Sequence, residues 1–120
     1  MSFVPLGEDL GRIVVVAAGF ALWKGGRCIA AARWADIQRV RAYRRPGATP
    51  DAARLGVELA DGTVMEFHEA APGFDLFLER GSATLAGLVP FATWRAELAL
   101  GPLDAEPTVI FERPAPKWKT

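Results

Sequence analysis

The sequence predicts an α+β domain: a strongly bent antiparallel sheet of six to seven strands closed by one amphipathic helix. Three observations lead there. Short stretches rich in β-branched and aromatic residues follow one another through residue 68, separated by Gly-containing turns. No helical period interrupts them, so the strands have up-down neighbours in place of the crossovers a parallel sheet needs. After Pro72-Gly73 the apolar period lengthens to that of a helix.

Taken in order, residues 1–11 are a lead-in and residues 12–17 the first strand. A turn at Ala18-Gly19 leads to a strand over 20–24, and Gly25-Gly26 to another over 27–34. Two-residue loops at both turns place Val15 opposite Leu22 and Leu22 opposite Ile29. One face then carries Ile13, Val15, Ala17, Phe20, Leu22, Ile29 and Ala31, the other Val14, Val16, Ala21, Trp23, Cys28, Ala30 and Trp34. Both faces are apolar, so each is expected to be covered. A bend at Ala35-Asp36 opens a fourth strand over 37–44, with Ile37, Arg39, Arg41 and Tyr43 on one side and Gln38, Val40 and Ala42 on the other. The Pro- and Gly-containing stretch 45–51 reads as a surface loop.

Residues 54–60 and 63–68 flank Asp61-Gly62. A two-residue loop there mixes polar and apolar residues on both faces. A three-residue loop pairs Leu59 with Thr63, Val57 with Met65 and Leu55 with Phe67, which restores an apolar face and uses Gly62 in the left-handed conformation. Next, Phe74, Phe77, Leu78, Gly81, Leu85, Leu88 and Val89 form an inward helical stripe that Pro90 ends, with Gly81 permitting close approach to the sheet. Residues 91–100 form a short second helix with Trp94, residues 107–113 a last strand, and the end is a tail unless Trp118 docks. The whole is one domain over 1–120, with a core over 12–89, an additional segment over 90–113 and a tail over 114–120.

Composition narrows the function classes. Fourteen basic and fourteen acidic residues cancel, without the positive footprint that nucleic-acid binding needs. The distribution is uneven: eight basic against three acidic residues up to Pro50, then six against eleven from Asp51 onward. Such halves are expected to attract each other within the fold, with a basic face that meets an acidic partner as the alternative. The single Cys28 cannot form an internal disulfide and is expected to be buried, in a reducing compartment. The apolar run 13–23 is shorter than the roughly 20 residues that span a bilayer, and acidic Glu8 and Asp9 precede it. A cytoplasmic protein without stable membrane insertion is the expectation.

The order of elements resembles that of a pleckstrin-homology-like (PH-like) barrel. Residues 19–40, an apolar strand, a glycine turn, a second strand, then Trp34, Asp36-Ile37 and Val40, resemble the bacterial PH and GRAM-type pattern, and Asp61-Gly62 after Leu55, Val57 and Leu59 fits its later hairpin. The resemblance covers roughly residues 12–88, to a group of small uncharacterised bacterial proteins. It implies a mostly non-catalytic module that acts as a scaffold, binds protein partners or holds lipid headgroups.

The expected function is therefore a non-enzymatic protein interaction, with no cofactor and no metal. The alternative is binding of an anionic small molecule or headgroup by Lys24, Arg27, Arg39 and Arg41, the positions corresponding to the basic cluster of headgroup-binding PH domains. Against that stands a plain strand edge on which arginines discourage pairing. A metal or acid/base site from Glu66, His68 and Asp75 has only closeness in sequence behind it, in a chain with one His and one Cys. Ser82 and Thr84 lie on the helix exterior with no activating base. Trp23 and Trp34 are the candidate interface residues, with the segment after Pro90 as their expected cap and a homodimer contact as the alternative.

Overall fold

The computed structural model describes residues 10–114; the lead-in at 1–9 and the end at 115–120, with Trp118 and its expected docking, lie outside the described residues. The elements are β1 (Arg12–Val15), β2 (Gly19–Lys24), β3 (Arg27–Arg33), a 3-10 turn (Trp34–Asp36), β4 (Ile37–Tyr43), β5 (Arg54–Leu59), β6 (Val64–His68), α1 (Phe74–Thr84), α2 (Phe91–Leu100) and β7 (Thr108–Glu112). Every ladder is antiparallel, in a three-stranded sheet β1-β2-β3 and a four-stranded sheet β6-β5-β4-β7. The fold is α+β, with two sheets where one bent sheet was expected, and with the second helix present over Phe91–Leu100 as read. Among the described residues no ladder joins the sheets into a closed barrel. The break falls at the turn after β3: Asp36 accepts the Arg33 N–H at 3.0 Å, and β4 then takes β5 and β7 as neighbours.

Register explains which expectations hold. At the first turn Val16 and Gly19 exchange both backbone hydrogen bonds, at 2.9 and 3.3 Å, so the loop is Ala17-Ala18 and Ile13, not Val15, faces Leu22. That slip shifts the register by two residues, a full side-chain period, so the inward set Ile13, Val15, Phe20 and Leu22 is unchanged. The second turn pairs Lys24 with Arg27 as expected, but a bulge between Leu22 and Trp23 then places Ala30, not Ile29, opposite Leu22. Beyond it every side chain of β3 is reversed. Ala30 and Ala32 turn inward and Ile29 is 57% exposed. Trp34 follows the same parity into the core at 5% exposure, which corrects its expected place beside Trp23 on an interface. Cys28 is exposed rather than buried. A second irregularity, between Ile37 and Arg39, puts Ile37 inward with Val40 and Ala42, off the arginine side where alternation placed it.

The β5–β6 hairpin keeps the expected three-residue loop: Leu55 faces Phe67, Val57 faces Met65, Leu59 N–H donates to the Thr63 carbonyl at 2.8 Å, and Gly62 has φ 93°. Inner faces of the two sheets meet through Phe20 and Phe67, 6.0 Å apart edge to face. Phe77 of α1 sits between them, 5.2 Å from Phe20, 4.9 Å from Phe67 and 5.3 Å from Trp34. Leu85, 2% exposed, continues the seam, although α1 ends at Thr84, before the expected stop at Pro90. Gly81 faces the Trp34 ring with room for a methyl group at 3.8 Å. The close approach belongs to Gly73, at φ 91°, where any side chain would overlap the Ile13 carbonyl, beside the bond from Ile13 N–H to Pro72 O at 2.8 Å.

The C-terminal segment goes to the four-stranded sheet. β7 pairs with β4. α2 buries Trp94 against Phe91, 5.0 Å away, which touches Phe74 at 6.5 Å. Trp23 is 39% exposed among the described residues.

Candidate functional site: the outer face of the first sheet

The outward side chains of β1 and β2 are Arg12, Val14, Val16, Ala21 and Trp23, joined by Cys28 and Ala31 of β3. Val14 and Trp23 are each 39% exposed and Val16 55%. Two recesses share Val14. One, about 470 Å³, is shallow and lined by Val14 and Val16 with the small residues Ala18, Gly19, Ala21 and Ala31, and by Arg33 and Asp36. The other runs past Trp23 to Lys24 and the Gly25-Gly26 turn, with Arg12 on its side. The sheet here is thus an apolar trough with polar ends.

Electrostatics separate this face from the rest of the molecule. Residues 10–35 contain Arg12, Lys24, Arg27 and Arg33 and no Asp or Glu. Arg33 pairs with Asp36 at 3.6 Å. For Arg12, Lys24 and Arg27 there is no carboxylate partner among the described residues. On the four-stranded sheet the opposite holds. Arg39 bonds Glu112 at 2.6 Å and Glu58 at 3.3 Å, and Arg41 meets Glu58 at 3.0 Å. Arg44 meets Asp51 at 3.8 Å and Arg45 meets Glu66 at 3.1 Å. The basic first half and acidic second half do attract each other, among the described residues on this sheet and in the loop that follows β4. Hydrogen bonding and attraction from Glu112 raise the Arg39 pKa above its ordinary value.

The four proposed anion-binding residues accordingly fall on two sheets. Lys24 and Arg27 flank the Gly25-Gly26 hairpin, while Arg39 and Arg41 are held by carboxylates on β4. The recess at the Gly25-Gly26 turn is lined by Lys24 and by neither Arg39 nor Arg41.

The other candidate cluster is also dispersed. His68 is 6% exposed; its Nδ1 accepts the Ala70 N–H at 3.0 Å and its Nε2 lies 3.0 Å from Thr49 Oγ1. Those bonds brace the loop after β4 against β6. Glu66 accepts the Tyr43 hydroxyl at 2.5 Å, and Asp75 points to solvent from α1. Burial first, then that bond to Glu66, push the Tyr43 pKa far above its ordinary value. Among the described residues no three His, Cys, Asp or Glu side chains are gathered to hold a metal. Ser82 and Thr84 are exposed, as the helical period implied.

Sequence reasoning marked Trp23 as an interface residue but missed the trough that runs past it and the pairing of Arg12 with it on one face. The signal was available in the acid-free stretch 10–35. No protein-family model, curated protein or solved structure matches this chain.

Proposed function

We propose that the protein is a non-enzymatic interaction domain of PH-like type, located in the cytoplasm, that engages a protein partner through the outer face of β1-β2-β3. One observation carries this reading: Val14, Val16 and Trp23 are exposed and line two shallow recesses, with Val14 in both, that no described element covers. Large exposed apolar patches with polar edges mark association surfaces. A PH-like assignment is supported by strand order and by a helix seated between two antiparallel sheets.

The test places a photoreactive amino acid at position 16, or at exposed Val64 on the other sheet, in cells of the source organism. A discrete adduct from position 16 and none from position 64 is the expected outcome. The absence of any adduct at 16, or equal labelling from both positions, would defeat the reading.

A further inference from the structure

The recess lined by Arg33 and Asp36 lies beside the point where the described chain stops, and we propose that it receives Trp118 of the same chain, carried on residues 115–120. Three observations converge. First, the exit is anchored. Arg113 donates its backbone N–H to Gln38 O at 2.8 Å, accepts from the Gln38 side chain at 2.8 Å, and reaches with its guanidinium to Ile37 O at 2.9 Å and Trp34 O at 3.3 Å. Pro114 therefore leaves beside the 3-10 turn Trp34–Asp36, whose Asp36, with Arg33 just before the turn, lines the recess. Second, the reach suffices. Trp118 stands five residues beyond Arg113, with Pro114 and Pro116 favouring an extended path, so the segment spans roughly 15 Å at about 3.1 Å per residue. Ala31 lies three residues before Trp34, about 10 Å along a strand. Third, the shapes match. Ala18, Gly19, Ala21 and Ala31 leave a shallow floor beside the protruding Val14 and Val16, which suits an indole lying flat on it.

Tethering selects this occupant. A shallow recess buries too little of one free side chain to hold it alone, whereas a short linker raises the local concentration of its own chain to about the millimolar range. Charge agrees with that choice. Lys117 and Lys119 flank Trp118, and a neighbouring recess is lined by Ala31, Ala32, Asp36 and Asp61. Asp61 is bonded by the Thr63 N–H and by no Lys or Arg among the described residues. Residues 1–9 join the sheet from its opposite end, at Gly11 beside Trp23 and Lys24. The protein partner of the reading above shares the recess with the indole. Resting on that reading, Trp118 is a built-in competitor that the partner displaces.

The experiment is NMR on the full chain with labelled Ala and Val methyl groups, reading nuclear Overhauser contacts of the Trp118 indole. Contacts to the Val16 and Ala31 methyls are expected, at an intensity independent of protein concentration. Ala31→Gln, at an exposed site, should remove the contacts to Val16, whereas Val64→Gln on the other sheet should keep them. A Trp118 indole without contact to the recess, or with contact to Trp23 and Lys24 alone, overturns the proposal. So do contacts that arise only between molecules in a mixture of labelled and unlabelled chains, or a recess filled by residues 1–9. A second arm repeats the photoreactive labelling from position 16, where Trp118→Ala should raise the yield of the partner adduct several-fold; an unchanged yield overturns the competition. Indole contacts with no partner adduct leave the docking standing and remove the partner. An adduct with no indole contacts leaves the interaction face standing and removes the docking.

Discussion

The two sheets use the same kinds of residue to opposite ends. In the four-stranded sheet Leu55, Val57, Met65 and Phe67 are buried and the arginines of β4 are tied to carboxylates of β5 and β7. In the three-stranded sheet Ile13, Phe20 and Leu22 are equally buried on the inner side. The outer side, however, keeps valines, a tryptophan and cations facing solvent. One sheet is internally satisfied and the other is satisfied on a single face. The difference teaches that overall neutrality hides an uneven pairing: the arginines of β4 are held by carboxylates within the fold, while Arg12, Lys24 and Arg27 have no carboxylate partner among the described residues.

The largest effect should come where the two sheets meet. Phe77→Ala removes the ring that touches Phe20, Phe67 and Trp34, and a loss of about 3–5 kcal/mol is expected in chemical denaturation. A loss under about 1 kcal/mol would mean that the sheets do not share a core.

Next, the contrast itself can be read in a pair of truncations. Leu55→Ala, at a fully buried site, should cost about 2–5 kcal/mol. Ile29→Ala, exposed at the β3 bulge, should stay within about 0.5 kcal/mol. Equal losses would show Ile29 packed inward, and the bulge would be wrong.

A smaller effect is pH-dependent. Tyr43 keeps its proton in the fold because burial and Glu66 raise its pKa, while the unfolded chain ionises near its ordinary value of about 10. Its contribution to stability is therefore complete below about pH 10 and falls as pH rises above it. Tyr43→Phe should flatten the alkaline decline in melting temperature, and an unchanged slope would dismiss the linkage.

The smallest effects sharpen the electrostatic half of the comparison. Glu58→Gln loosens both Arg39 and Arg41, so its melting temperature should fall at low salt, by less as salt screens the pair. Lys24→Glu should leave the melting temperature unchanged at any salt. A loss of stability there would reveal a partner for Lys24 within the fold.

Legibility in the sequence followed contrast between neighbouring residues. The β5–β6 register was readable because Leu55, Val57 and Leu59 alternate with polar or small neighbours, so only one loop length keeps an apolar face. Residues 91–100 were likewise readable as a helix. β3 was not readable in full. Ile29-Ala30-Ala31-Ala32 offers no polarity contrast, so nothing local says which pair points inward, and a bulge reverses them at little cost in side-chain burial. The site inherited that ambiguity: Trp23, before the reversal, was placed correctly, while Trp34, after it, was assigned to the wrong face.

The sequence by itself determined the strand succession, the two helices, the inward parity of β1, β2, β5 and β6, and an acid-free basic stretch at 10–35. Only the tertiary structure decided that the strands divide into two sheets, that Trp34 belongs to the core, that β7 and α2 serve the four-stranded sheet, and that Trp23 is 39% exposed among the described residues. The reason is physical: alternation and period act over a few residues, whereas bulges and sheet partners are chosen by which distant surfaces Phe20, Trp34, Phe67 and Phe77 can fill together.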